Sequence, residues 1–548
     1  MMLTTLDVSI LVVYSILILS VGLYMSRSKN GIEKNSKDYF LASKSLPWWA
    51  VGASLIAANI SAEQFIGMSG SGFAMGLAIA SYEWMAALTL IIVGKYFLPI
   101  FIEKGLYTIP EFLEKRYNSQ VKSILAVFWV VLFIFVNLTS VLYLGATALD
   151  TILGNGDGST IVYSIIGLAL FTAAYSLWGG LSSVAWTDVI QVILLVVGGL
   201  ITTFIALSEV SPDNTIINGL KYIYEKVPEK FDMILDSSHP EYANLPGIAV
   251  LVGGMWIANI YYWGFNQYII QRTFAAKSLK EAQKGIVFAA LLKMIIPLIV
   301  VIPGIIAFVM YTDSPQVAAD FIGPNGEIMN DKAFPWLISN YVPSGLKGLV
   351  LAALAAAIVS SLASMLNSTS TIFTMDIYKP LINKNASEKQ LVNIGRITGL
   401  TALIIAIFVA PMLGGIPQAF QYIQEYTGIV SPGILAIFIL GLFWKKTTGK
   451  AAIIGAFLSI PIAFYFKVGS KGWIDSNLFP DLPWMHQMGL TFLITAVLMI
   501  LISFRQNKGQ DDEKGIDLNK SLFTTSPVFN VLSFAVILML IVLYALFW

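Results

Sequence analysis

Apolar residues occur along this chain in runs of about twenty, the length a helix needs to cross a hydrocarbon layer about 30 Å thick. Fourteen such runs fall near residues 5–26, 46–74, 77–102, 121–150, 160–178, 182–208, 247–271, 284–311, 346–376, 392–411, 416–444, 450–467, 483–504 and 527–547. Two of them are interrupted. The second carries Asn59-Ile60-Ser61-Ala62-Glu63-Gln64 at its centre, and the seventh carries a polar and aromatic stretch from Asn259 to Gln267 towards its inner half. A bilayer offers no water to pair such groups, so polar side chains and loosened backbone at that depth imply a cavity or an ion.

Spans 2 and 7 are five apart, an odd number, so a set of helices beginning at span 7 runs with the opposite topology to one beginning at span 2. The pattern predicts an all-α polytopic membrane protein with two inverted five-helix repeats, each opening with a broken helix. The segmentation that follows is 1–45 for a peripheral first helix and its cytoplasmic loop, 46–209 for the first repeat (spans 2 to 6), 210–246 for an external loop, 247–446 for the second repeat (spans 7 to 11) and 447–548 for peripheral helices 12 to 14.

Lys and Arg give the orientation. Segments 27–45, 103–122, 272–284, 377–396, 445–450 and 505–526 hold 24 of the 33, and the loops on the opposite side hold 7. By the positive-inside rule the first set is cytoplasmic, which puts both termini outside. The first apolar run has no basic residue before it and no small-residue cleavage site after it, so it is expected to stay as a helix rather than leave as a signal peptide. The external loops 209–246 and 312–345 are long enough to form short caps, and 505–526 reads as a hydrophilic linker.

Composition removes most function classes. With 57% hydrophobic and 12% charged residues and a mean hydropathy of +0.76, the chain is no soluble domain, where charged residues make up about 25%. Its net charge of +1 argues against a nucleic-acid partner. The absence of Cys excludes disulfides, thiolate metal sites and Cys nucleophiles, and two His are too few for a zinc site. The chain contains no G-x-x-x-x-G-K-[ST], H-E-x-x-H or G-x-S-x-G sequence, so neither an ATP-driven pump nor a membrane enzyme is expected. A sugar-gated channel or sensor would bring a signalling domain, and none is seen.

The remaining chemistry is polar and lies inside the spans. Span 9 contains Ser360-Ser361 within a run of small and hydroxylated residues. Such a run serves helix packing, or two hydroxyls joined by carbonyls from a broken helix supply oxygens to a loosely held sodium ion. Charged residues within spans are Glu63, Glu83, Lys95, Asp188 and Lys293, with Asp376 and Glu425 read as nearer the inner face. Glu83 and Lys293 either neutralise one another or face a hydrated pocket together. Joined by the amides Asn59, Gln64, Asn259 and Gln424 they offer the mixed donors and acceptors that suit a polyhydroxylated neutral molecule. Tyr262 and Trp263 are placed to stack on a sugar ring or to gate it, although aromatics in such numbers serve mainly in packing. A lysine also keeps acidic sugars and amino acids open as solutes.

Five stretches carry a resemblance: YFLASKSLPWWAVGASLIAANISAEQFIGMSGSG (39–72), YSLWGGLSSVAWTDVIQ (175–191), YYWGFNQYIIQR (261–272), AALAAAIVSSLASMLNSTSTIFTMDIYK (352–379) and FQYIQEYTGIVSPGILAIFILGLFWKK (420–446). In this order they resemble the sodium:solute symporter family, and within it the bacterial sodium/galactose (sodium/glucose) cotransporters. The resemblance implies a leucine-transporter-like fold, alternating access in a bacterial inner membrane, co-transported sodium and no resident cofactor. It implies sodium ligation by the carbonyls of Ala57, Ile60 and Ala357 and the hydroxyls of Ser360 and Ser361, with Asp188 on the exit route. It further implies a sugar pocket of Gln64, Glu83, Asn259, Lys293, Asn59 and Gln424, an inner gate at Tyr262 beside Trp263, and Met68 and Phe420 on the outer side. Ala86 and Phe133 depart from the galactose pattern, which has Ser and Tyr there, so the preferred hexose stays open. Glu63 receives no role from the resemblance.

Overall fold

The computed structural model describes residues 3–26, 35–154, 158–323, 326–414, 418–474 and 478–548, and each of the fourteen apolar runs is helical through most of its length. Arg27, Lys29 and Lys34 of the orientation argument, and the side chains of Tyr175 and Trp178, lie outside the described residues. Among the described residues β-structure is limited to two isolated bridges, Leu46 with Ala276 and Ile322 with Ile328. Among the described residues ten helices are long and apolar enough to cross a membrane, or eleven when Phe420–Thr427 and Ser431–Phe443, bent by 50°, count as one span. The others fall short because they are broken or, like Ile161–Ala174, brief.

Spans 2 and 7 break, as their polar runs require, each at a single extended residue. Helix Trp48–Asn59 ends where Ile60 turns to φ −80°, ψ 105°, and the chain resumes as a widened π turn over Glu63–Met68. In span 7 the π turn comes first, over Tyr261–Phe265, and Asn266 at φ −85°, ψ 118° starts the last helix, Gln267–Phe274. π turns lengthen the hydrogen-bond step and re-aim the side chains next to a break.

Span 8, Leu279–Asp313, holds both halves of span 2. A Cβ on Gly52 would meet the Gly285 carbonyl at 2.6 Å, and a Cβ on Gly304 would meet the Ser69 carbonyl at 2.1 Å. Only glycine permits backbones to cross this closely. Lys293 stands on span 8 between those two crossings, opposite the break. Spans 5 and 6 form one helical run, Ile161–Val210, that turns a corner at Gly180, whose φ of 65° suits glycine alone.

The long loops 209–246 and 312–345 do form caps. Helix Ile216–Lys226 and the turn Pro228–Phe231 lie over the end of span 2, where Lys230 Nζ donates to the carbonyls of Phe73 (3.2 Å) and Ala74 (2.5 Å). The second loop adds Pro315–Asp320 and Ala333–Tyr341. The hydrophilic stretch after span 13 is fastened rather than free: Asp512 lies 3.6 Å from Arg116, and its amide donates to the Lys445 carbonyl at 3.1 Å.

Two sequence expectations are corrected. Glu425 does not lie with the basic loop 445–450; it pairs with Lys467 and, at 3.0 Å, with Lys471, both at the opposite end of span 12. Span 11 runs towards that basic loop, so a residue early in it lies at the far end. Arg272, counted as a cytoplasmic loop residue, is wholly buried within helix Gln267–Phe274. Positive-inside counting registers depth along the membrane normal, and depth does not reveal whether a charge is exposed.

Candidate functional site

The break in span 2 fixes the positions of four polar side chains. Beyond Asn59 the helix has lost its next amides, because the Ser61 amide donates to Gln64 Oε1 at 2.9 Å instead of to a carbonyl one turn back. The Glu63 amide likewise donates to Ser61 Oγ at 3.0 Å. These side-chain bonds stabilise the turn and leave the last carbonyls of helix Trp48–Asn59 beyond its intrahelical ladder. Asn59, at the end of that helix, accepts at Oδ1 from Lys293 Nζ and donates from Nδ2 to the Tyr262 hydroxyl at 3.0 Å.

A cavity lies against the break. It is lined by Asn59, Gln64, Glu83, Asn259, Lys293 and Gln424, the six residues expected to bind solute, and by Tyr262, Trp263 and Phe420 of the expected gates. Lys293 forms an ion pair with Glu83, and its ammonium lies 5.0 Å from the centre of the Trp263 ring. The two charges thus neutralise one another and also both line the cavity. Met68 is fully buried and does not line it; a Cβ on its neighbour Gly67 would meet the Phe420 Cβ at 2.7 Å. Glu63 also faces the cavity and accepts from Ser140 Oγ at 3.1 Å.

Several lining groups were not expected. Tyr82 stacks edge-on against Phe420 at 5.1 Å, and Tyr268 donates its hydroxyl proton to Tyr262 at 2.7 Å. Asn137, Asn266 and Ser431 complete the polar wall. Tyr82 Oη, Asn137 Oδ1, Asn259 Nδ2, Asn266 Oδ1 and Ser431 Oγ are buried without a hydrogen-bond partner among the described residues. Buried polar groups are seldom left so, and a cluster around one cavity marks a place for a polar guest. Asn137 and Asn266 were legible in principle as amides within apolar spans; Tyr82 and Tyr268 had no signal among so many aromatics. Ala86 lines the cavity, and Phe133 lies behind it, 5.6 Å from the Tyr268 ring.

The second constellation sits on the other side of helix Trp48–Asn59. Ser361 Oγ donates to the Ala58 carbonyl at 3.0 Å, and Ser360 Oγ donates to Asp188 Oδ1 at 2.5 Å. Ser54 Oγ donates to the other oxygen of Asp188 at 2.5 Å. A hydroxyl that donates its proton keeps lone pairs for a cation. Ala357 precedes Ser361 by one turn, while Ala57 and Ile60 flank the carbonyl that Ser361 meets. Oxygen donors of this kind, with no resident carboxylate cage, suit a monovalent ion that must leave again. Among the described residues no group of three His, Cys, Asp or Glu is placed to hold a metal ion.

Comparison with known proteins agrees with this geometry. The sodium:solute symporter family matches over residues 39–459. The sodium/glucose cotransporter of Vibrio parahaemolyticus is 59% identical over all of this chain and 99% of its own. Sodium/glucose cotransporter 1 of Oryctolagus cuniculus is 32% identical over 91% of this chain and 77% of its own. The Homo sapiens sodium/myo-inositol cotransporter is 32% identical over 91% and 73%. A solved Na+-coupled sialic acid symporter in an outward-open state superposes with a TM-score of 0.78 over 94% of this chain and all of its own, at 24% identity. A nucleobase-cation-symport-1 family transporter superposes at 0.51, at 14% identity over 86% and 96%. At such identities these structures speak for the fold, which is the leucine-transporter-like arrangement expected from the sequence. A broken helix shared by a polar cavity and a hydroxyl pair, and a match running from span 2 into span 12, lead to one statement: this chain is a transporter, not an enzyme, and belongs to the sodium:solute symporter family.

Proposed function

We propose that the protein imports a neutral hexose, galactose or glucose, together with sodium by alternating access. The observation that carries this reading is the cavity at the break in span 2, where polar atoms of Tyr82, Asn137, Asn259, Asn266 and Ser431 are buried without partners among the described residues and the Lys293 ammonium is already neutralised by Glu83. A carboxylate-bearing solute would need a free positive charge; a sugar needs hydrogen bonds of both signs. The name of the Vibrio relative supports a sugar, and that of the human relative keeps a second neutral polyol, myo-inositol, in view.

In this reading Gln64, Glu83, Asn259, Lys293, Asn59 and Gln424 bind the sugar, Tyr262 with Trp263 closes the inner side, and Phe420 and Met68 close the outer. Sodium takes the carbonyls of Ala57, Ile60 and Ala357 and the hydroxyls of Ser360 and Ser361, and leaves past Asp188. Sodium arrives first, fixes span 2 against span 9, and so sets Asn59 and Gln64 for the sugar; that differential ordering is the coupling. Residues 46–209 and 247–446 form the inverted repeats. The protein resides in the bacterial inner membrane with both termini outside. A potential of 100 mV supplies about 2.3 kcal/mol per charge and a tenfold sodium gradient about 1.4 kcal/mol, enough for one sodium to sustain roughly a 500-fold sugar accumulation. The test is sodium-driven uptake of labelled galactose in proteoliposomes with glucose, myo-inositol, sialic acid and proline as competitors. Competition by glucose and galactose is expected; competition by sialic acid or proline alone would overturn the reading.

A further inference from the structure

Arg272 is the residue that the site described above does not absorb. Its guanidinium is wholly enclosed and reaches spans 2, 6 and 9 as well as its own helix. Nε donates to Ser54 Oγ (2.9 Å) on span 2, Nη1 to the Tyr268 carbonyl on span 7, and Nη2 to Ser364 Oγ on span 9. Nη2 also lies 3.5 Å from Asp188 Oδ2 on span 6. Asp188 in turn accepts from Ser360, one of the paired hydroxyls. At the opposite end, the Tyr268 hydroxyl donates to Tyr262, which accepts from Asn59. One guanidinium thus stands between the hydroxyl pair and the tyrosine that closes the solute cavity.

We infer that Arg272 is a positioning residue, a tethered cation that holds Asp188 while sodium is absent from it and ties sodium departure to movement of the inner gate. The inference rests on the sodium position proposed above. Two cations cannot share one carboxylate without strong mutual repulsion in a dry interior. A sodium ion leaving through Asp188 must therefore displace Arg272 from it. The same guanidinium bonds the Tyr268 carbonyl one turn earlier on its own helix, so its displacement is felt by the helix that carries Tyr268 and, through the Tyr268 hydroxyl, by Tyr262. This supplies the two-state element a coupling route requires, with the side chain on Asp188 or off it.

A plain structural staple would behave differently, because replacing it would weaken sodium binding or leave it unchanged. Arg272→Gln keeps hydrogen-bonding capacity and removes the charge, leaving Asp188 free to retain sodium. In proteoliposomes the half-saturation for sodium is expected to fall about tenfold, which corresponds to about 1.4 kcal/mol, while maximal uptake falls because release is slow. Arg272→Lys, which keeps the charge, is expected to stay within about threefold of the parent in half-saturation. Asp188→Asn combined with Arg272→Gln restores charge balance and should reverse the tightening. An unchanged or raised half-saturation in Arg272→Gln, or an Arg272→Lys protein matching Arg272→Gln, overturns the inference. If Arg272→Gln does not assemble, a displacement of more than about threefold in Arg272→Lys overturns it instead, and a smaller one supports it. Ser361→Ala separates the two layers: if it shifts the sodium response while the Arg272 variants do not, this inference alone fails; if it has no effect, the underlying sodium position fails.

Discussion

Lys293 with Glu83 and Arg272 with Asp188 are both buried cation–carboxylate pairs, yet their surroundings differ. The first pair lines a cavity, and its neighbours include amides and hydroxyls with hydrogen bonds still to make. The second is enclosed by Ser54, Ser360, Ser364 and the Tyr268 carbonyl. Burying two charges gives little net stability even when they are well paired, whereas removing one partner is strongly unfavourable. Retained pairs of this kind therefore point to work, and the surroundings say which: an open pair can receive a guest, and an enclosed one can only change partners.

The largest effect is expected from breaking the open pair. Lys293→Ala strands Glu83 at the cavity wall and removes a hydrogen bond to Asn59, a loss of about 3 to 5 kcal/mol by analogy with other buried pairs. Uptake should fall below detection, and near-normal galactose or glucose binding would reduce Lys293 to a structural partner of Glu83. Next is the hydroxyl beside the enclosed pair. Ser361→Ala removes one oxygen, worth about 1.5 kcal/mol, so half-saturation for sodium should rise about tenfold; sodium titration of uptake reads it, and no change would sink the site.

Lys230 provides a third case, a buried cation served by two carbonyls. Burial pushes its ammonium down to about 8. The folded state then binds fewer protons than the unfolded chain between about pH 8 and the ordinary lysine value near 10.4. Stability contributed there rises with pH across that window, by at most about 1.4 kcal/mol per pH unit. Thermal unfolding of parent and Lys230→Met should diverge over the window and run parallel below it; parallel curves throughout would show that the ammonium titrates normally. The smallest effect is specificity. Ala86→Ser adds one hydroxyl to the cavity wall, and a gain of about 0.5 to 1.5 kcal/mol for galactose over glucose is expected from competition curves. Equal inhibition by both sugars would remove Ala86 from the discriminating surface.

Much of this was legible before any coordinates. Hydropathy located the apolar runs that fold as helices because a bilayer imposes a length that globular packing does not. The polar runs located both breaks, since amides and carboxylates at that depth need a reason. Tyr82 and Tyr268 stayed hidden because an aromatic looks alike to the sequence whether its ring fills a core or its hydroxyl faces a cavity. Arg272 stayed hidden for the opposite reason: it stands next to basic loop residues, and only the fold reveals that span 7 keeps it inside. Glu425 was misplaced although the order of the spans puts it early in span 11; the lysines that mark that end arrive some forty residues later.

The interruption at Ile60 also bears on how the chain is built. Helix Trp48–Asn59 has 12 residues, a rise of about 18 Å, well short of the roughly 30 Å of hydrocarbon it must help to cross. Neither half of span 2 is a stable membrane segment by itself, and the lysine that meets Asn59 is synthesised 234 residues later. During biogenesis this span must wait, sheltered, until span 8 brings Gly285, Lys293 and Gly304 to receive it. Substitutions at those two glycines should therefore appear first as failures of assembly, before any assay of transport has something to measure.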